Sequence, residues 1–285
     1  MQTVAIFGAA GQLGTALLRV FTARAKVIGF DRTKVDITDR KAVASALKSA
    51  EPDIVINAAA YNNVERAEEE IERAYAVNTL APFYLAREAA RYDATYVHIS
   101  TDYVFDGTAG PYSESAAPHP LNVYGASKLA GETLIRIAHP KHYLIRTSAL
   151  FGSAAHESKK NFVQTMIEKG RVSDTVRVVG DQTTVPTSTH DLAGAIRELL
   201  DRKAPSGTYH IVNGGAGTWA DFAEEIFRQA HMPTVVSRVS TETSGTHVQR
   251  PCESVLAVGK LNAIGITLPP WQDALQRYLE EIGIQ

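Results

Sequence analysis

The feature that most constrains the fold lies near the start of the chain, where a short apolar run leads directly into a glycine-rich turn. Val4–Phe7 is followed by Gly8-Ala9-Ala10-Gly11-Gln12-Leu13-Gly14, and an amphipathic stretch continues to Ala23. A strand, a tight turn and a helix in this order are typical of the first unit of a doubly wound parallel sheet. Because glycines at this spacing also occur in ordinary turns, the prediction needs support from the rest of the chain.

The first half of the chain supports it by repeating short apolar runs between longer amphipathic stretches. Besides Val4–Phe7, the predicted strands are Val27–Phe30, Ile54–Asn57, Tyr96–Ser100 and Tyr143–Thr147. Apolar residues at helical spacing predict helices over Gly14–Ala23, Arg66–Tyr92, Phe162–Lys169, Asp191–Asp201, Ala220–Ala230 and Trp271–Ile282. Strands alternating with helices predict an α/β fold, a Rossmann-type doubly wound parallel sheet.

An acidic residue at the end of the second predicted strand indicates which ligand the glycine turn binds. Asp31 lies 20 residues beyond Gly11, where a carboxylate can bind the adenosine ribose of a dinucleotide such as NAD. Arg32 offers a guanidinium that can bind the 2′-phosphate of NADP. Asp36 and Ile37 sit where a loop can flank the adenine, although a helix N-cap role for Asp36 or Asp39 is equally open. The sequence therefore predicts NAD or NADP, with the preference unresolved.

The regular alternation ends near Gly152, and shorter elements follow. We therefore predict a dinucleotide-binding domain over residues 1–152 and a smaller, mainly substrate-binding C-terminal region over residues 153–285. Two apolar runs in this second region, Val176–Val179 and Tyr209–Val212, are expected to return to the main sheet. About residues 175–212 would then interleave with the first domain.

Composition and charge exclude several classes of partner. Lysine and arginine number 29 against 31 acidic residues, a net charge of −2, so no strong field favours nucleic acid or an anionic membrane. Cys252 is the sole cysteine, and no apolar run reaches the roughly 18 residues that a membrane span needs. Nine histidines show no metal-binding spacing, so no metal site is predicted. We expect a cytoplasmic protein; its oligomeric state is open, with a homodimer as one alternative.

A tyrosine and a lysine four residues apart suggest chemistry for the dinucleotide. Tyr124 and Lys128 would lie on one face of a helix, one turn apart. A nearby ammonium is expected to lower the pKa of the phenol, so that Tyr124 can deliver a proton to a carbonyl. Thr101, at the end of the fourth predicted strand, is placed to hydrogen-bond the same oxygen while the nicotinamide delivers hydride. In isolation the pair would be an ordinary helix surface.

Several motifs together resemble the extended short-chain dehydrogenase/reductases, and within them the dTDP-4-dehydrorhamnose reductases. They are the glycine turn, Asn57-Ala58-Ala59-Ala60, Ser100-Thr101-Asp102-Tyr103-Val104-Phe105-Asp106-Gly107 and the Tyr124…Lys128 pair. The resemblance continues through Pro120-Leu121-Asn122-Val123, Arg146-Thr147-Ser148, Asn161-Phe162-Val163 and Arg250-Pro251, so it covers nearly the whole chain.

The resemblance implies three sets of site residues. The catalytic residues would be Thr101, Tyr124 and Lys128, with Lys128 also holding the nicotinamide ribose. The cofactor would contact Tyr124, Lys128, Gly8, Gly11, Gln12, Leu13, Gly14, Asp31, Arg32, Asp36, Ile37, Asn57, Ala58, Ala59, Tyr61 and Ser100. The nucleotide-sugar substrate would contact Val64, Glu65, Thr101, Phe105, Asn161 and Arg250.

Departures from the family pattern concentrate around substrate recognition. Ala149 stands where the family usually has a tryptophan, Asn63 and Glu65 stand for the usual alanine and aspartate, and Thr184 replaces a common glycine. The sequence thus predicts an NAD(P)H-dependent reductase of the 4-keto group of a nucleotide-linked deoxysugar, most simply dTDP-4-dehydro-L-rhamnose. Two alternatives stay open: a non-catalytic dinucleotide-binding regulatory subunit, and a nucleotide-sugar epimerase or dehydratase.

Overall fold

Short strands alternate with helices in the computed structural model, which describes residues 1–155 and 160–284. The strands are β1 Thr3–Phe7, β2 Lys26–Phe30, β3 Ile54–Asn57, β4 Thr95–Thr101, β5 His142–Thr147, β6 Leu150–Phe151, β7 Thr175–Val179, β8 Thr183–Thr184, β9 Thr187–Ser188, β10 Gly207–His210, β11 Gly217–Thr218 and β12 Val235–Val239. The α-helices are α1 Gln12–Thr22, α2 Arg40–Ala50, α3 Val64–Glu69, α4 Ile71–Tyr75, α5 Ala81–Arg91, α6 Val123–Ala138, α7 Phe162–Val172, α8 Thr189–Asp201, α9 Trp219–Gln229, α10 Gly259–Ala263 and α11 Trp271–Glu281.

Six parallel strands form the central sheet in the order β10-β5-β4-β3-β1-β2. All five predicted strands of the first half are present, and the Rossmann-type α/β fold is confirmed. Alternate residues of β1 explain the two covered faces: Val4 and Ile6 pack with α1 and α8, whereas Ala5 and Phe7 pack with α2 and α5. The carboxyl ends of the strands therefore share one edge, where such sheets bind ligands.

The prediction of one helix over Arg66–Tyr92 is wrong. The segment contains α3, α4, a π-helical stretch Ala76–Leu80 and α5, with Glu70 outside helical geometry between α3 and α4. Within the π-helical stretch, the amide of Asn78 binds both the N–H and the carbonyl of Tyr61, each at 2.9 Å, and donates to Ser127 at 3.0 Å. Tertiary hydrogen bonds thus override a strong helical pattern, and they fix the Tyr61 loop.

The expected return of residues 175–212 to the main sheet is met by only one of its two strands. β10 pairs with β5 and forms the sheet edge. The expectation for Val176–Val179 is wrong, because β7 pairs with β12 in a separate two-stranded parallel sheet. Val176 and Val178 bury their side chains in a second core beside α7, α9 and α11, and an apolar run alone does not say which core it joins. The division at residue 152 stays a prediction.

Candidate active site

A cleft of about 920 Å³ opens at the carboxyl ends of the strands. Most of the predicted site residues line it, namely Gly8, Gly11, Gln12, Leu13, Gly14, Asp31, Arg32, Asp36, Ile37, Ala58, Ala59, Tyr61, Val64, Ser100, Thr101, Tyr124 and Lys128. Asn57, Glu65, Phe105, Asn161 and Arg250 are not among the residues that line it. Chain segments far apart in sequence are thus brought to one elongated site.

The glycine turn forms the part of the cleft nearest β1 and β2. Gly8 has a φ of +80°, and a Cβ there would lie 2.6 Å from the Ala59 nitrogen. A Cβ at Gly14 would overlap the Gly8 carbonyl oxygen. α1 begins at Gln12 without a side-chain cap, so its first N–H groups are free to bind an anion. The shape and the free donors fit the pyrophosphate of a dinucleotide.

Asp31 is held by the turn that follows β2. Its Oδ1 accepts hydrogen bonds from Thr33 N at 2.9 Å, Thr33 Oγ1 at 2.5 Å and Lys34 N at 3.1 Å. The Thr33 hydroxyl is the main reason that the pKa of Asp31 lies below its ordinary value. A carboxylate fixed in this way is ready to accept from ribose hydroxyls.

The neighbouring Arg32 is compatible with either NAD or NADP as the cofactor. Its Nε lies 3.8 Å from Asp36 Oδ2, and its side chain is exposed. Asp36 closes its own turn by accepting from Thr38, whereas the N-cap of α2 is Asp39, which accepts from Lys41 N and Ala42 N. An exposed guanidinium beside a ribose-binding carboxylate suits either a hydroxyl or a phosphate at the 2′ position.

Thr101 and Tyr124 meet where β4 ends and α6 begins. Asn122 caps α6 by accepting from Gly125 N at 2.8 Å, and a Cβ at Gly125 would overlap the Tyr103 carbonyl oxygen. This close approach brings the first turn of α6 against the strand end. Thr101 Oγ1 donates to Asp102 Oδ1 at 3.0 Å and accepts from Tyr103 N at 3.2 Å.

The expected lowering of the Tyr124 pKa by Lys128 is wrong for this structure. Burial raises the pKa of Tyr124, while a hydrogen bond with Thr101 opposes that rise. Lys128, which is 1% exposed, donates to the Ile99 carbonyl at 2.5 Å, so its amino group is directed at the strand. Burial lowers the pKa of Lys128 to about 8, against an opposing effect of Glu132. Tyr124 is accordingly protonated at neutral pH and able to donate.

Polar residues that the sequence did not single out lie behind the reacting groups. Burial raises the pKa of Asp102 to about 6, although hydrogen bonds from Ser254 and Thr101 oppose the shift. Ser100 Oγ donates to Glu132 at 2.6 Å, and Glu132 forms a buried ion pair with Arg146 at 2.7 Å. His98 is fully buried beside Lys128. Polar residues at alternate positions of an otherwise apolar strand were the signal that could have revealed His98 and Asp102.

Three predicted residues lie behind the cleft wall because other contacts occupy their side chains. Phe105 stacks on Tyr112 with ring centroids 4.2 Å apart. Asn161 caps α7, and its Nδ2 donates to the Gly152 carbonyl at 3.0 Å and to the Tyr278 hydroxyl at 2.7 Å. Asn57 is fully buried and supports the Ala59 backbone.

Glu65 and Arg250 form an ion pair at the rim of the cleft, next to the lining residues Val64 and Pro251. Arg250 Nη2 lies 2.7 Å from Glu65 Oε1, which also accepts from Thr246 Oγ1 at 2.6 Å. The pair joins α3 to a segment near the C-terminal end. We define Val64, Glu65, Thr246 and Arg250 as the rim cluster.

Two kinds of feature are absent from residues 1–155 and 160–284. No group of three or more His, Cys, Asp or Glu side chains is arranged to hold a metal ion. None of the helices in these ranges has the length and apolar character needed to cross a bilayer.

Comparisons with known proteins agree with this geometry. A family model described as RmlD substrate binding domain matches residues 1–284. The spore coat polysaccharide biosynthesis protein SpsK of Bacillus subtilis is 38% identical over 283 residues, which cover 99% of this chain and 98% of that protein. The dTDP-4-dehydrorhamnose reductase of Aggregatibacter actinomycetemcomitans is 38% identical over 291 residues, with 97% and 98% covered.

A solved structure extends the likeness to three dimensions. The crystal structure of dTDP-4-dehydrorhamnose reductase from Bacillus anthracis in complex with NADP has a TM-score of 0.94 to this chain at 37% identity. The match covers 98% of this chain and 99% of the other. The chain therefore belongs to the RmlD substrate binding domain family, to which its dTDP-4-dehydrorhamnose reductase relatives point.

Proposed function

We propose that this protein is an NAD(P)H-dependent reductase that converts dTDP-4-dehydro-L-rhamnose to dTDP-L-rhamnose by reducing the 4-keto group. The observation that carries the proposal is the meeting of Thr101, Tyr124 and Lys128 in the same cleft as the glycine turn. The relatives named as dTDP-4-dehydrorhamnose reductases support the substrate class.

Each of the residues in the cleft has a separate role in the reduction. Bound NADH or NADPH supplies the hydride that goes to the keto carbon. The turn at Gly8 and the free N–H groups of α1 hold the pyrophosphate. Tyr124 transfers its phenolic proton to the keto oxygen, and the Thr101 hydroxyl hydrogen-bonds that oxygen. Lys128, one helical turn from Tyr124, binds the nicotinamide ribose through an N–H group.

The substrate would enter past the rim cluster. Arg250 offers a cation for the diphosphate, and Val64 offers an apolar contact next to it. Ala149 lines the cleft where the family usually has an aromatic side chain, so this wall leaves room beside the sugar. We propose that the missing aromatic contact broadens the range of sugars accepted.

The decisive experiment incubates the purified protein with dTDP-4-dehydro-L-rhamnose and either NADH or NADPH. The expected result is loss of the reduced-nicotinamide absorbance, and parallel reactions with UDP- and GDP-linked 4-keto sugars compare the nucleotides. The Ala149→Trp variant is expected to narrow the range of sugars. Absence of turnover with every sugar, together with co-purification of a stoichiometric partner protein, would overturn the proposal in favour of a regulatory subunit. Tightly bound NAD that is regenerated in each cycle would favour an epimerase.

We further propose a cytoplasmic location and a homodimer for this chain. The single cysteine, Cys252, suits a reducing compartment where nucleotide sugars are made. Sedimentation equilibrium tests the assembly, and a mass equal to one chain at micromolar concentration would contradict the dimer.

A further inference from the structure

A buried hydrogen-bonded chain runs behind Lys128, on the side away from the cleft. His98 lies in the middle of β4, opposite Asn57 of β3 in register, and it is fully buried. Its Nδ1 is 3.2 Å from Asn57 Nδ2, and its Nε2 is 3.3 Å from Lys128 Nζ. The hydrogen bonds Asn57–His98–Lys128 thus link the end of β3 to the lysine.

The direction of these hydrogen bonds is determined by Asn57. Its Oδ1 accepts from the Ala59 N–H at 3.1 Å, so the amide cannot be turned over without placing two donors against each other. Asn57 Nδ2 must therefore donate to His98 Nδ1, which has to be an unprotonated acceptor. Burial holds the pKa of His98 well below its ordinary value. A neutral ring with Nδ1 bare carries its proton on Nε2.

The Nε2–H of His98 consequently points at Lys128 Nζ. If Lys128 were an ammonium, its N–H groups and the His98 Nε2–H would both be donors, and no hydrogen bond could form between them. A neutral amine has a lone pair that can accept from Nε2–H. The amine keeps two N–H groups, one for the Ile99 carbonyl at 2.5 Å and one for a ligand in the cleft. The geometry therefore favours the uncharged form of the side chain.

We propose that His98, oriented by Asn57, is a positioning residue that holds Lys128 through an Nε2–H···Nζ hydrogen bond and stabilises its neutral amine. This role goes beyond the proposed reductase activity, since it describes the protein before any substrate binds. Other titratable or charged groups around the cluster include Tyr96 on β4, whose ring stacks on His98 with centroids 6.4 Å apart, Tyr124 and Glu132 on α6, Asp102 after β4 and Arg146 on β5. Of these, Glu132 opposes the effect of burial on the pKa of Lys128.

Two substitutions reverse the donor-to-acceptor direction of the Asn57–His98–Lys128 hydrogen bonds by different means. In Asn57→Asp, a carboxylate accepts where an amide donated, so His98 moves its proton to Nδ1 and offers Nε2 as an acceptor to an ammonium. In His98→Gln, the side-chain oxygen can accept directly from Lys128 at about the former Nε2 position. Both variants are expected to favour the charged lysine. His142→Gln, which changes a histidine of the adjoining strand β5, is the matched control.

The experiment measures the protein without sugar or cofactor, so its failure is separable from failure of the reductase assignment. Lysine labelled with ¹³C at Cε gives the titration of Lys128, identified by its loss in Lys128→Arg, and ¹⁵N shifts give the His98 tautomer. We expect the Nε2–H tautomer and a Lys128 midpoint near 8 in the wild type. The midpoint should rise by about one pH unit in both variants and stay unchanged in His142→Gln. A wild-type proton on Nδ1, or unchanged midpoints in folded Asn57→Asp and His98→Gln, would overturn the proposal.

Discussion

The two ends of the cleft are built in different ways. The glycine turn at the cofactor end consists of backbone: Gly8 and Gly14 approach neighbouring main-chain atoms so closely that no side chain fits. The rim cluster at the other end consists of side chains that meet across the chain, such as Glu65 with Arg250, 185 residues apart. A backbone site tolerates few substitutions, whereas a side-chain site can be retuned one residue at a time. Of the departures from the family pattern, Glu65 belongs to the rim cluster and Asn63 caps the same helix, whereas Ala149 and Thr184 line the cleft.

Tyr124 lies between the two ends, and its loss should have the largest effect. In Tyr124→Phe the proton donor is removed, so kcat is expected to fall by about 10² to 10⁴ fold. Cofactor affinity, measured by nicotinamide fluorescence, should be retained. Tyr84→Phe on α5, away from the cleft, controls for loss of a phenol. A rate within a few fold of wild type would remove Tyr124 from proton transfer.

Substitution of the third glycine tests the backbone end. In Gly14→Ala the new Cβ would overlap the Gly8 carbonyl and lie 2.7 Å from Ala9 Cα, so the turn must shift. Overpacking of this kind costs about 1 to 3 kcal/mol, and we expect cofactor affinity and thermal stability to fall together. Gly194→Ala on α8, where nothing lies within 4 Å, should instead be neutral or stabilising. Equal behaviour of the two variants would contradict the close-approach explanation.

Removing the positive charge of Arg250 from the rim cluster tests the end of the cleft that is built from side chains. Arg250→Met removes a cation offered to the diphosphate, and the KM for the nucleotide sugar is expected to rise about tenfold, since one charge-assisted hydrogen bond contributes about 1.5 kcal/mol. The cofactor dissociation constant should not change. Arg228→Met, which breaks an exposed ion pair with Glu225, is the control. A loss of cofactor affinity in Arg250→Met would show that the two ends are not separable.

The last prediction concerns stability and not turnover, at Asp102, which accepts a hydrogen bond from Ser254. The pKa of Asp102 is raised from 3.8 to about 6, so the folded protein holds this proton more tightly than the unfolded chain. The associated stability is present below pH 4 and is lost as the pH rises through about 6. Asp102→Asn carries no charge to bury, and it should gain about 2 to 3 kcal/mol over wild type at pH 7.5 relative to pH 4. Urea unfolding at both pH values measures this, and a gain independent of pH would contradict it.

Local features were predictable from the sequence, and distant pairings were not. The glycine turn and the Tyr124–Lys128 pair are short motifs whose spacing already specifies a turn and a helix face. The Asp102–Ser254 contact joins residues 152 apart, and no periodicity encodes such a pair. The same limit explains the misplaced strand Val176–Val179, which could pair equally well with either sheet.

Side-chain contacts explain further differences between prediction and structure. The helix predicted over Arg66–Tyr92 breaks at Glu70 and widens into a π-helical stretch where Asn78 binds the Tyr61 backbone. Phe105 and Asn161, assigned to the substrate by resemblance, make packing and capping contacts in the structure, and their substrate role stays a prediction. Polarity at a position indicates that a partner exists, without indicating whether it is a ligand or another part of the chain.

The sheet edge formed by β10 has a consequence for how the protein is made. β10 begins at Gly207, although its neighbour β5 ends at Thr147. During synthesis at about 5 to 20 residues per second, β5 leaves the ribosome several seconds before the strand that covers it. Throughout that interval a nascent parallel sheet presents an open row of N–H and C=O groups to other chains. Chaperone binding to ribosome-bound chains should therefore be strongest before β10 emerges and should fall once it has paired.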